Sequence, residues 1–155
     1  MLLFWAATIL HWGCLALLGA WGISVNVMLV FVMAVCACLK PEYGYPTAFI
    51  CGLFLDFFGV KLFGHNAFVF MWCAVAVYSL EKRVDLEAVV PQVVSAFVLG
   101  LLAAVFNGVL LKFFVGLSTW NGWWPFVSAI ILTALIAPAI FWAVRRTFPI
   151  RTKNY

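Results

Sequence analysis

The chain has 155 residues, of which 68% are apolar or aromatic and 9% charged, with a net charge of +4 and a mean hydropathy of +1.17. A soluble domain averages roughly 45–50% apolar and about 25% charged residues, and so short a chain has too little polar surface to wrap this much apolar material in a water-soluble core. These totals exclude a soluble enzyme, a nucleic-acid module, a disordered tail and a separate extramembrane catalytic domain, and they predict an integral membrane protein.

A helix needs about 20 apolar residues to cross a bilayer, and open sheets cannot cross at all. Six apolar runs are expected as helices, over 2–22, 24–39, 46–62, 65–80, 89–112 and 123–144, followed by a basic tail over 145–155. The fold class is therefore all-α and polytopic, in a single membrane domain over 1–155. The first run opens without a basic stretch and lacks a small-residue cleavage site, so it is expected to stay as a span. His11 stands alone in it and is expected to be a hydrogen-bonded packing residue. Gly13, Ala16 and Ala20 give this run a weak small-residue face.

The second, third and fourth runs are short for a full crossing. They either stand nearly upright or dip and return under cover of other helices, and a five-span reading merges the short pair. Lys40-Pro41-Glu42-Tyr43-Gly44-Tyr45-Pro46 and Lys61-Leu62-Phe63-Gly64-His65-Asn66 read as turns between runs. Glu81-Lys82-Arg83-Val84-Asp85 is a densely charged loop, and Ser118-Thr119-Trp120-Asn121-Gly122 is a polar hairpin. Pro138 is expected to kink the sixth run.

The third run carries Asp56, the one acid deep within an apolar run. A carboxylate at a helix centre costs roughly 2.5–3.5 kcal/mol on insertion scales, so it is expected to face the bundle or a wet cavity. Ala48, Gly52, Asp56 and Gly59 follow helical spacing and share a face that is small around the one polar side chain. Lys61, His65, Asn66 and Asn107 are the candidate donors to it. A helix-packing hydrogen bond outweighs a proton or ligand site as the reading of Asp56. The fifth run carries Gln92, Ala96, Gly100, Ala104, Gly108 and Lys112 at four-residue intervals. Small residues in that register allow close backbone approach, either to a neighbouring span or to a partner's transmembrane helix.

Charge sets the orientation. With the N-terminus inside, Lys40, Lys82, Arg83, Arg145, Arg146, Arg151 and Lys153 fall on the inner side, and only Lys61 and Lys112 on the outer. Positive loops stay cytoplasmic, so both termini are expected there. Trp21, Trp120, Trp123 and Trp124 would then mark the outer interface and Trp142 the inner one. The five cysteines all lie in apolar stretches, and an odd, lipid-buried set argues against a disulfide framework. Cys36 and Cys38 fall on opposite sides of a helix, which disfavours chelation. The histidines His11 and His65 lack the spacing of helical metal ligands. A nucleophile elbow, a pair of intramembrane aspartates and a P-loop are all missing. No enzyme, metal or cofactor is expected.

From Tyr45 through Asp56 to Gly59, and again over Leu62 to Ala67, the chain resembles the rod shape-determining MreD family. The family pattern is a Pro, a Gly-x-x-x-Asp helix end, a small residue and a Gly-x-Asn-Ala restart. Here Pro46, Gly52, Asp56, Gly59, Gly64, Asn66 and Ala67 match it. Phe63 stands in place of the usual aliphatic residue, and His65 is unusual between Gly64 and Asn66. The resemblance implies a non-enzymatic inner-membrane scaffold of the bacterial cell-elongation machinery. Its partner would be the single-span protein MreC, and through it the MreB filament, the polymerase RodA and its transpeptidase; a homodimer is also open. It further implies similarity in fold to the substrate-binding subunits of energy-coupling-factor transporters. The competing function is therefore a membrane subunit that binds a vitamin or other small molecule.

Overall fold

The structure, a computed structural model, describes residues 2–22, 25–58, 63–81, 88–115 and 123–147. They form α1 (Leu2–Leu18), a short 3-10 turn (Gly19–Trp21), α2 (Val27–Cys38), α3 (Pro41–Phe58), α4 (His65–Glu81), α5 (Val89–Val115) and α6 (Trp123–Thr147). All six expected helices are present, and no strand occurs among the described residues. Three of them contain windows long and apolar enough to cross a membrane: Phe4–Trp21, Val89–Phe106 and Phe126–Thr147.

The third helix begins earlier than its apolar run. Lys40 to Pro46 was expected as a turn, but α3 starts at Pro41 and takes in Pro46. Proline suits the first helical position, where its missing N–H would be unbonded anyway and its fixed φ matches the helix. The Lys40 carbonyl accepts from the Tyr43 and Gly44 amides and so opens the helix. Pro46 removes only one further bond near the helix start, and the Thr47 hydroxyl donates to the Tyr43 carbonyl at 2.7 Å. The same rule explains Pro91, which falls in the first turn of α5. Pro138 likewise does not stop its helix: α6 runs on through it to Thr147.

Helix α2 is the hub. It packs against all five other helices, and every one of its residues except Ala37 is buried. That enclosure explains a sequence that is apolar all round rather than along one stripe. Its twelve residues reach about 18 Å, well short of the ~30 Å hydrocarbon thickness. Its first turn is capped by the Asn26 side chain, whose oxygen accepts from the Leu29 amide at 3.1 Å. The Asn26 amide donates to the Thr133 hydroxyl of α6 at 3.3 Å, and Arg145 lies within electrostatic reach of Cys38. So α2 runs parallel to the second half of α6. It starts about 15 Å along that helix, ten residues from its beginning.

Around the hub, α3 and α4 form an antiparallel pair and α5 packs on α6. Helix α1 is peripheral. Phe4 joins it to α2 and α3, with ring centroids 6.5 Å from Phe31 and 5.1 Å from Phe54 respectively. Phe68 stacks on Phe106 at 5.7 Å and ties α4 to α5. The outer surface carries large apolar side chains on every long helix, among them Leu17, Phe113, Trp124 and Leu135. Contiguous apolar surface on this scale is foreign to water-soluble monomers.

Candidate functional site

The corner between α3 and α4 collects the residues of the family-like stretch. Asp56 is 5% exposed and lies in the last turn of α3, not at mid-helix as its place in an apolar run suggested. Its Oδ1 accepts from the Asn66 amide and from Asn66 Nδ2, both at 2.9 Å, and its Oδ2 accepts from the Ala67 amide at 3.0 Å. These are among the first amides of α4, which an isolated helix leaves without partners. The carboxylate of one helix therefore caps the next. It also sits against the positive end of the α4 dipole, a placement worth about 0.3–1 kcal/mol at exposed sites and up to ~2 when partly buried.

Gly52 makes that approach geometrically feasible. A Cβ built on it would lie 2.6 Å from the Ala67 nitrogen and 2.7 Å from the Asn66 carbonyl carbon, with the Ala67 Cα closer still. Those neighbours are backbone and cannot rotate away. Gly64 ends the turn at φ +88, a left-handed conformation that glycine adopts without penalty, and its carbonyl accepts from the Phe68 amide. Of the proposed donors to Asp56, Asn66 is the partner. His65, buried at the head of α4, makes its own interactions, while Lys61 and Gly59 lie outside the described residues, as does the Asn107 side chain. Pro46 stands away from the corner, nearly three turns before Asp56 on α3, and is exposed.

A second polar node locks the opposite end of the same helix pair. The Tyr78 hydroxyl donates to the Leu39 carbonyl at 3.3 Å, and the Cys36 thiol donates to the Gly44 carbonyl at 3.8 Å. Tyr45 and Tyr78 meet edge to face at 5.1 Å. A Cβ on Gly44 would run into the Tyr78 phenol. Gly44, Ala48, Gly52 and Asp56 are all buried and form one continuous ridge along α3. Gly44 and Tyr78 were missed in the sequence because the Gly44 stretch reads as a turn; with α3 begun at Pro41, the four-residue spacing extends back to it.

Beside the corner, a cavity of about 480 Å³ opens between the outer faces of α3 and α4. Phe49, Leu53, Phe68, Met71 and Trp72 line it, and Gly64 and Ala67 belong both to its wall and to the Asp56 corner. Its lining is almost wholly apolar.

The fifth-helix ridge divides in two. Gln92, Ala96 and Gly100 are buried, Ala104 is half-buried, and Gly108 and Lys112 are exposed. A Cβ at Gly100 or Gly108 would meet nothing within 4 Å, so neither glycine marks a close approach inside this chain. The α1 glycine Gly13 is equally open. His11 departs from expectation: its buried Nδ1 has no hydrogen-bond partner among the described residues, because its surroundings are apolar and aromatic, with the Trp12 ring 6.3 Å away. All five cysteines are free thiols, and no group of three or more His, Cys, Asp or Glu capable of holding a metal occurs among the described residues.

Chemically, the corner is a joint. Three N–H donors converge on one carboxylate, an acceptor-only arrangement, with no nucleophile or second acid or base beside it among the contacts described. No family model, curated protein or solved structure matches this chain.

Proposed function

We propose that this chain is a multi-pass inner-membrane scaffold of the MreD type, which binds the transmembrane helix of MreC and thereby helps regulate peptidoglycan synthesis and rod shape. On this reading all six helices lie in the membrane, both termini face the cytoplasm, and MreB, RodA and its transpeptidase are reached through MreC. The short α2 is accommodated because protein, not lipid, surrounds it. A fold like that of energy-coupling-factor substrate subunits belongs to the same reading.

The observation that carries it is the α3–α4 corner. Gly52, Asp56, Gly64, Asn66 and Ala67, which the resemblance singles out, come together as one hydrogen-bonded joint beside an apolar groove. A helix-binding protein needs rigid helices with apolar outer faces, and a buried acid used as a cap supplies rigidity without offering a reactive group. The small-molecule transporter reading asks for several polar groups converging on a cavity. The groove between α3 and α4 has an apolar lining instead.

Depletion of the protein in its rod-shaped host, followed by microscopy, tests the proposal. Rounded cells and loss of MreC from the purified complex are the expected results. Unchanged rods, or a vitamin that raises the melting temperature of the purified protein, would replace this reading with the transporter one.

A further inference from the structure

The inner end of α6 carries a feature that neither the scaffold role nor the α3–α4 corner uses. The Arg146 guanidinium lies over the Trp142 ring, 5.4 Å from its centroid. Both side chains are exposed, and they are four residues apart, so they share one face of the helix. Lys40 is exposed at the same end of the molecule, following the C-terminus of α2, where Cys38 lies within reach of Arg145. Glu42 and Glu81 are the acids at this end among the described residues, Glu42 in the first turn of α3 and Glu81 ending α4. Glu81 is within reach of Cys38, which places it beside α2 and Arg145. The Trp142–Arg146 pair is on the outward face of α6.

A guanidinium stacked on an indole keeps its edge N–H groups free. That edge is the part that grips a phosphate through two parallel hydrogen bonds. The ring fixes an otherwise flexible side chain, so less freedom is lost on binding. Tryptophan also seats at the level of lipid headgroups, which sets the guanidinium at phosphate depth.

We propose that Trp142 and Arg146, with Lys40 as a second cation, bind the phosphate of an anionic glycerophospholipid in the adjoining leaflet; this rests on the membrane-spanning reading above. The site differs from a general positive surface because its aromatic platform contributes without carrying charge.

The test uses the full chain in nanodiscs of phosphatidylcholine with and without phosphatidylglycerol. Lipid retained after gentle detergent extraction is counted by native mass spectrometry. The wild type is expected to retain phosphatidylglycerol in preference to phosphatidylcholine. R146Q should lower that retention about 5-fold and K40Q by a lesser factor, while K112Q at the far end of α5 leaves it unchanged. W142L keeps every charge and should still lower retention by about 2- to 5-fold, the scale of an exposed cation–π contact. Wild-type retention by W142L, or equal losses in R146Q and K112Q, would overturn the site in favour of unspecific charge attraction. Displacement of the lipid by millimolar inorganic phosphate would overturn the lipid as its ligand. Alkaline extraction separates the two levels: protein that leaves the membrane defeats the spanning reading, whereas protein that stays but shows no lipid preference defeats this site alone.

Discussion

At the residue scale, Asp56 and Gly52 act as a pair, one supplying acceptors and the other the room to use them. Asp56→Asn replaces one carboxylate oxygen with an NH2 group that faces N–H donors. At least one of three bonds is lost and a buried donor is left without a partner, at a cost of about 1–3 kcal/mol. Asn66→Ala removes only the side-chain bond and keeps both amide bonds, so it should cost about 0.5–1.5 kcal/mol. Gly52→Ala drives a methyl into the Ala67 backbone, and overpacking of that kind costs about 1–3 kcal/mol. Melting of the purified variants in detergent should therefore rank Asn66→Ala mildest. Equal stability of Asp56→Asn and the wild type would mean that the carboxylate does not act as the α4 cap.

At the element scale, the α3–α4 pair is held at two points, with Gly44 against Tyr78 at one end and Gly52 with Asp56 at the other. Gly44→Ala should destabilise by about 1–3 kcal/mol, and adding Tyr78→Leu should recover part of the loss because the obstructing phenol is gone. A double-mutant cycle of melting temperatures measures this coupling; strict additivity would show that the two residues do not press on each other. Helix α5 invites the opposite experiment. Gly100→Leu and Gly108→Leu each place a Cβ where nothing lies within 4 Å, and at the exposed Gly108 the isolated protein should melt within a few degrees of wild type. Their effect is expected in copurification of MreC, and retained binding in both would remove Ala96, Gly100, Ala104 and Gly108 as the partner seam.

The helices themselves were legible because an apolar run forms the body of each one, and the corner was legible because an acid in such a run has few places to go. Less readable were the α3 start and the identity of the donor. Pro41 and Pro46 both punctuate a chain, and only the hydrogen bonds to the Lys40 carbonyl show that the helix has already begun. Likewise Lys61, His65 and Asn66 all follow Asp56 within ten residues, and spacing alone does not single out Asn66 as a donor to it. His11 was misjudged for a related reason: a polar residue in an apolar helix implies a partner only if a neighbouring helix brings one, and α1 has few neighbours.

At the scale of the whole molecule, the long apolar helices α1, α5 and α6 and the apolar exterior set the expected behaviour. The protein should stay with the membrane pellet after alkaline carbonate treatment, and a C-terminal reporter should be active in the cytoplasm but silent in the periplasm. A periplasmic signal would reverse the orientation derived from the basic loops.

The enclosed α2 has a consequence for how the chain is made. Its amide anchor, from Asn26 to Thr133, joins residues 107 apart in the sequence, and its parallel companion α6 follows it only after α3, α4 and α5. Helix α2 thus waits for α6 to close over it. Until then a segment too short to span lipid has one flank uncovered. A stop codon between α5 and α6 would cost more than the loss of α6 itself: it would open the centre of the bundle, and such a fragment should be cleared by membrane proteases.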